Sequence, residues 1–158
     1  MKHLVHILLL SALMMLSLTA CDSVFDIHPY DTRVEGATDL NAKNIKLIEE
    51  RCLDKDTMHI AVISDSHQWY KDLEAEIADI NRRDSIDFVI HLGDLTDFGS
   101  TLEYSLARER LQRLRKPFVV MQGNHDCLGT GNEVYAKMFG NNDFSFIAGR
   151  VKFIMINT

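Results

Sequence analysis

Three short apolar runs at a nearly constant interval constrain the fold of this chain more than any other feature. The runs are HIAVIS, FVIHLG and PFVVMQG, and each one leads directly into polar side chains. The polar ends, at Asp65, Asp94 and Asn124, recur about every 30 residues, which is the length of one strand-helix-strand unit. The spacing therefore predicts an α/β fold in which three parallel strands are joined by right-handed crossovers.

The segments around these runs have the apolar periodicity of helices. Apolar residues recur at helical spacing in three groups: Ile45, Ile48, Cys52; Leu73, Ile77, Ile80; and Tyr104, Ala107, Leu111, Leu114. Ser100 and Glu103 match the capping box S-x-x-E, which predicts that the third helix begins there. After these units, Gly149 and Arg150 separate two β-rich stretches and predict a hairpin.

The polar residues after the strands are predicted to meet at one edge of the sheet. In open parallel α/β sheets, ligands bind outside the carboxyl ends of the strands. Asp65 and His67 are two positions apart, so on an extended segment their side chains point the same way. Carboxylate, amide and imidazole donors together suit manganese, iron or zinc. The sequence thus predicts a cleft with a metal site.

The same residues resemble the calcineurin-like metallophosphoesterase superfamily, whose first half reads D-x-H, then G-D-x-x-D, then G-N-H-D/E. The chain has these motifs in that order, as Asp65-Ser-His67, Gly93-Asp94-Leu-Thr-Asp97 and Gly123-Asn124-His125-Asp126. The resemblance covers roughly Met58 to Thr158. It implies hydrolysis of phosphate-ester substrates and the α-β-β-α sandwich of that family. The helix that contains NAKNIKLIEE also resembles bacterial lipoprotein members.

By that resemblance, Asp65 and His67 hold one divalent ion, Asp94 bridges two, and Asn124 holds the second. Two ions must lie about 3.5–4 Å apart to act on one ester, which a bridging carboxylate allows. The resemblance also implies that His125 acts catalytically beside the ions. We expect Asp126 to be catalytic with it, by accepting a ring N–H from His125.

Other polar residues receive structural interpretations. We interpret Asp97 as a turn residue, because Asp is common in turns, and His91 as a core histidine within an apolar strand. Cys52 precedes one strand and Cys127 follows another, so a parallel sheet places them at opposite edges and a disulfide between them is not expected. Cys127 could serve as a thiol nucleophile, but we favour a small buried residue.

The N-terminal residues predict that the protein is exported from the cytoplasm. Residues 1–20 combine a basic start with an apolar run too short for a stable membrane span, as in a signal peptide. Leu18-Thr19-Ala20-Cys21 resembles a bacterial lipobox, in which Cys21 is acylated. Residues 21–38 are then a tether, and we expect attachment to a membrane of the bacterial cell envelope through the lipid.

The chain has a net charge of −6 and no run of basic residues. We therefore expect no nucleic-acid-binding patch. In the family, later histidines complete the metal set, but no histidine follows His125 here. We therefore expect residues 39–158 to be an incomplete domain, truncated at the start of its second sheet, and we expect this chain alone to be weakly active or inactive. Two alternatives stay open: an inactive remnant or non-catalytic lipoprotein binding module, and a flavodoxin-like nucleotide binder, which gives no reason for the motif G-N-H-D.

Overall fold

The structure is a computed structural model that describes residues 3, 5, 6, 28 and 30–157. The predicted strands and helices are present in the predicted order. The helices are α1 (Leu40–Cys52), α2 (Tyr70–Arg82), α3 (Thr101–Leu111) and α4 (Gly131–Met138). The strands are β1 (Ile60–Ile63), β2 (Phe88–His91), β3 (Phe118–Val120), β4 (Phe144–Ala148) and β5 (Val151–Met155).

Strands β1, β2 and β3 form a parallel sheet in that order, with β2 in the centre. This arrangement confirms the predicted α/β fold with a parallel sheet that alternates with helices. The register pairs Ile63 with His91 and His91 with Val120, so the three strands end side by side. The loops that follow them are consequently brought to one edge.

Alternating side chains give the sheet two buried faces. Val89 and Val120 pack on one side with apolar residues of α2, α3 and α4, whereas Phe88, Ile90 and Val119 pack on the other with α1 and the hairpin. A parallel sheet requires such cover on both faces because its strands are apolar on both. The layers agree with a partial metallophosphoesterase fold.

Helix α1 covers the free edge of β3. The side-chain amide of Asn41 donates to the carbonyl oxygen of Val120 at 2.8 Å and accepts from its N–H at 2.9 Å. Asn44 accepts a hydrogen bond from the N–H of Phe118 at 3.0 Å. These contacts satisfy the backbone of an edge strand, which otherwise presents unpaired donors and acceptors. At the opposite edge of the sheet, β1 has no neighbour among the described strands.

The predicted hairpin is confirmed as β4 and β5, with the turn at Gly149 and Arg150. Phe146 stacks on Phe153 with a centroid distance of 5.0 Å, and Phe88 contacts both rings edge to face. The hairpin is therefore anchored on the sheet through aromatic packing.

The start of α3 is also as predicted. Ser100 and Glu103 form the complete capping box: each side chain bonds to the other's backbone N–H. This cap fixes the direction in which the chain leaves the loop after β2.

Part of the segment predicted as a tether lies against the domain. The hydroxyl of Thr101 donates to the carbonyl oxygen of Asp31, and the guanidinium of Arg108 donates to that of Ala37 at 3.1 Å. The predicted signal peptide and Cys21 lie outside the described residues, apart from residues 3, 5 and 6, so these assignments and the extent of the tether stay predictions. None of the helices seen in the described ranges has the length and apolarity to cross a bilayer.

Candidate metal centre

Backbone hydrogen bonds continue past the strand ends and place the first two motif loops side by side. The N–H of Asp65 donates to the carbonyl oxygen of Gly93 at 3.1 Å, and that of His67 donates to the carbonyl oxygen of Asp94 at 3.0 Å. The loop after β1 thus lies directly against the loop after β2. This is the convergence that the sequence predicted.

Asp65, His67 and Asp94 form a cluster that could hold a metal ion. One ligand atom from each lies within 4.8 Å of the other two. Asp65 is exposed, while His67 and Asp94 are partly buried. Two carboxylates and one imidazole are ligands that suit manganese, iron or zinc. The donor chemistry of these residues therefore fits a divalent ion.

The backbone at all three cluster residues is left-handed. The φ angles are 54° at Asp65, 41° at His67 and 55° at Asp94. Non-glycine residues rarely adopt such angles, and those that do concentrate at functional sites where the surrounding structure holds them. Here the hydrogen bonds between the loops provide that support. The backbone conformation therefore helps to set the directions in which the three side chains leave the main chain.

Two motif glycines permit the close approach of the loops after β2 and β3. A Cβ on Gly93 would lie 2.5 Å from the backbone nitrogen of Gly123. A Cβ on Gly123 would lie 2.2 Å from Oδ1 of Asp94. Any side chain at either position would displace a neighbouring loop. The glycines of G-D and G-N-H-D are thus explained by packing around Asp94.

His67 is oriented by two acceptors on the loop after β2. Its Nδ1 lies 3.1 Å from the carbonyl oxygen of Thr96 and 2.9 Å from a carboxylate oxygen of Asp97. Because both neighbours are acceptors, Nδ1 carries the proton and Nε2 is left with its lone pair. Asp97 therefore does more than the turn role that we expected. The spacing of G-D-x-x-D was the signal that could have identified it.

His125 lies next to the cluster. Its backbone N–H donates to Oδ1 of Asp94 at 3.0 Å, and its Nδ1 lies 3.0 Å from the carbonyl oxygen of Asp97. The hydrogen bond to Asp97 raises the pKa of His125; burial opposes the shift, and the nearby acidic charges add to it. The ring meets His67 edge to face at a centroid distance of 4.8 Å.

Asp126 has partners that differ from our expectation. Its buried carboxylate accepts hydrogen bonds from the N–H groups of Leu95, Thr96 and Gly123, at 3.2, 2.9 and 3.0 Å, and from the Thr96 hydroxyl at 2.9 Å. The ring of His125 instead bonds to a backbone carbonyl. The physical reason is that four donors, three of them on the loop after β2, already surround the carboxylate. Asp126 joins two loops and positions the residues on them.

A family model for calcineurin-like phosphoesterases matches residues 58–155, which is more than half of the chain. The chain belongs to the calcineurin-like phosphoesterase family. Phosphoesterases of this family typically use divalent metals, in agreement with the cluster. The flavodoxin-like alternative is thereby set aside.

A curated relative is similar over a shorter segment. The "Probable glycerophosphodiester phosphodiesterase GpdQ" of Arcobacter nitrofigilis is 46% identical over 46 residues. The aligned segment covers 29% of this chain and 17% of the relative. The similarity supports phosphoric ester hydrolysis at a coarse level.

Asn124 occupies the family's third motif, directly after Gly123 and just before the 3₁₀ turn His125–Cys127. Its side chain is exposed at the same edge as the cluster. Its role as a ligand of a second ion stays a prediction, as do the individual roles of the other motif residues.

His91 is a core histidine, as predicted. It is buried, its Nε2 lies 3.1 Å from the hydroxyl of Ser66, and its Nδ1 accepts from the N–H of Gly93 at 3.2 Å. Burial lowers the pKa of His91 to about 4, so the ring is neutral at physiological pH. Through these hydrogen bonds, His91 connects the loop after β1, at Ser66, to the loop after β2, at Gly93.

Cys52 and Cys127 are both free, as the sequence predicted. The thiol of Cys127 donates to the carbonyl oxygen of Gly123 at 3.3 Å. Burial raises the pKa of Cys127, and the charges of Asp126 and Asp94 raise it further. A thiol with a raised pKa is a poor nucleophile, so a structural role for Cys127 is favoured.

Proposed function

We propose that this chain hydrolyses phosphoric esters at a centre of two divalent ions. The observation that carries the proposal is the cluster of Asp65, His67 and Asp94, with ligand atoms within 4.8 Å, in a chain that belongs to a phosphoesterase family. The similarity to a probable glycerophosphodiester phosphodiesterase makes a phosphodiester the first substrate to test.

In this proposal Asp65 and His67 would hold one ion, Asp94 would contribute to both, and Asn124 would hold the second. When bound, such ions polarise the phosphoryl oxygens and activate water. The protein supplies the geometry. The Asp97 carboxylate contacts Nδ1 of His67 and so leaves Nε2 as the ring nitrogen available to an ion.

His125 is proposed as the residue that donates a proton to the leaving oxygen. Its Nδ1–H is engaged by the carbonyl oxygen of Asp97, and this hydrogen bond favours the protonated ring. The Nε2–H of a protonated ring is then the proton available to the ester. Asp126 acts on this step only through position, because it holds the loop after β2 against Gly123.

The test compares Asp94→Asn with the control Asp54→Asn, a change at an exposed aspartate outside the motifs. Titration calorimetry with Mn²⁺ gives metal affinity and stoichiometry, and a phosphodiesterase assay on the same samples gives the rate. We expect Asp94→Asn to weaken Mn²⁺ binding and to remove most of the activity, since the bridging charge is lost. Unchanged binding and turnover in Asp94→Asn would contradict the assignment.

A second variant separates binding from catalysis. His125→Asn should retain metal content and lower the rate, because the proposed role of His125 is proton donation and not coordination. Loss of metal from His125→Asn would show that this role is wrong.

A non-catalytic binding module is the second candidate. The observation that favours it is the outer face of the hairpin, where Ile147 and Ile154 are exposed large apolar residues. Exposed apolar patches of this kind often mark interaction sites. Absence of hydrolysis at saturating Mn²⁺, together with a reproducible oligomer, would support this candidate over the enzyme.

We also propose that Cys21 carries a lipid and attaches the protein to a membrane of the bacterial cell envelope. The proposal rests on the lipobox-like residues 18–21 directly after an apolar run.

A further inference from the structure

Each of the three loops of the centre carries one large exposed apolar side chain just beyond its site residues. Trp69 lies two positions after His67, Phe98 directly after Asp97, and Leu128 beyond the 3₁₀ turn that begins at His125. Their exposed fractions are 69%, 69% and 45%. We call these three residues the apolar rim.

Two members of the rim lie on adjoining backbone. A Cβ on Gly99 would lie 2.3 Å from the carbonyl oxygen of Leu128, and a Cβ on Gly129 would lie 3.6 Å from that of Phe98. The loops after β2 and β3 are therefore in contact where they carry Phe98 and Leu128. The contact brings the backbones that carry these two residues together.

The third member borders a cavity next to the loop that holds His67. The cavity has a volume of about 510 Å³, and it is lined by Gln68, Trp69, Tyr70, Lys71, Asp72 and Arg110. Gln68 donates to Oε1 of Glu103 at 2.9 Å, and the same oxygen accepts from the N–H of Asp97 at 3.3 Å. One layer of side chains thus separates the cavity from the residue that orients His67.

We propose that the apolar rim binds the organic substituent of the phosphoric ester, and that this substituent is aromatic or a comparably bulky apolar group. The inference rests on the proposed function, because it names the substrate class of the same site. The cluster of Asp65, His67 and Asp94 is suited to the charged phosphoryl group through its ions. A substituent on that group would lie near the ends of the same three loops, which carry the rim.

The chemistry of the rim selects among substituents. Removing apolar surface from water stabilises a complex in proportion to the area buried. The rings of Trp69 and Phe98 add stacking or edge contacts with an aromatic partner. A small polar alcohol such as glycerol gains neither contribution. The rim therefore favours an aryl ester over a glycerol ester.

The chain offers a direct probe, because Trp69 is its only tryptophan. Its fluorescence would be followed while the full chain, saturated with Mn²⁺, is titrated with phenylphosphonate or methylphosphonate. These two compounds share one charged group and differ in the organic substituent. We expect phenylphosphonate to bind roughly tenfold tighter and to change the Trp69 emission, because it buries a ring at the rim. Methylphosphonate should leave the emission unchanged.

A matched pair of variants tests the position of the ring. Phe98→Ala should weaken phenylphosphonate binding by about threefold or more, and it should leave methylphosphonate binding unchanged. Leu53→Ala removes a similarly exposed apolar side chain just after α1 and should change neither affinity.

Equal affinities for the two phosphonates, no saturable binding of either, or an unchanged Trp69 emission would overturn the proposal. A phosphodiesterase assay on the same samples separates this failure from failure of the proposed function. Hydrolysis without a preference for the phenyl compound would refute the rim and retain the enzyme. Preferential binding of the phenyl compound without any hydrolysis would refute the proposed enzymatic function and support binding at the apolar rim.

Discussion

The carboxylate of Asp97 lies 2.9 Å from Nδ1 of His67, and its backbone carbonyl lies 3.0 Å from Nδ1 of His125. One residue therefore orients both imidazoles of the centre. The side chain acts on one ring and the main chain on the other, so substitution of Asp97 separates the two roles. Only the contact with His67 is lost when the carboxylate is removed.

We expect Asp97→Ala to weaken Mn²⁺ binding by about 10- to 100-fold, the usual effect of removing a carboxylate that orients a histidine ligand. Titration calorimetry measures the change. Asp84→Ala, at an exposed aspartate between α2 and β2, serves as the control. If both variants bind Mn²⁺ like the unaltered chain, the contact has no role in ion binding.

Gly123→Ala is expected to disrupt the centre sterically. The new Cβ would meet Oδ1 of Asp94 at 2.2 Å, so either the carboxylate or the loop must move. Mn²⁺ affinity should fall by an order of magnitude or more, roughly as for loss of the ligand itself. Gly140→Ala is the comparison: its φ of 108° makes alanine unfavourable, but no atom lies within 4 Å of its Cβ. It should lower stability and leave Mn²⁺ affinity intact.

Asp87→Asn tests a buried carboxylate that pairs with exposed basic residues away from the centre. Burial alone would raise the pKa of Asp87, but hydrogen bonds from Lys55 and the N–H of His59, with the charges of Lys55 and Arg51, bring it below its ordinary value. A lowered folded-state pKa stabilises the protein above the unfolded value, near pH 3.9, and this contribution disappears as the pH falls through the folded-state pKa.

The variant should therefore lose about 1–3 kcal/mol of unfolding free energy at pH 7, and less at pH 3. Urea denaturation at the two pH values provides the measurement. A loss that is the same at both would mean that the charge of Asp87 does not contribute.

Cys21→Ser should release the protein from the membrane. If Cys21 is acylated, the serine variant cannot be lipidated and should move from the membrane fraction to the soluble one. Immunoblotting of fractionated bacterial cells expressing the full sequence gives the distribution, with Cys127→Ser as the control cysteine. Retention of both variants in the membrane fraction would refute the lipid anchor.

Local patterns were sufficient to predict much of this fold. The capping box at Ser100 and Glu103, the hairpin turn at Gly149 and the interval between strand ends each depend on residues close together in sequence. The interpretation of His91 as a core residue followed from its place inside an apolar strand. The convergence of the motifs followed from parallel topology, since parallel strands end at one edge.

The partners of Asp97 and Asp126 could not be read in the same way. Which acceptor the ring of His125 meets depends on how two loops are packed, and that packing depends on the close approach at Gly93 and Gly123. A carboxylate next to a histidine in sequence is not necessarily its partner in space. The Asp126 side chain points into the protein toward backbone donors, and its direction depends on the packing of the loops rather than on the local sequence.

The position of Asp65 and Asp94 on adjacent strands has a mechanical consequence. Asp65 follows β1, which pairs with another described strand on one edge only, and Asp94 follows the central strand β2. An ion held by both carboxylates would cross-link the outermost strand to the middle of the sheet. Occupancy of the centre would then resist the peeling of β1, so the same contacts that serve chemistry would also protect the chain against local opening and proteolysis.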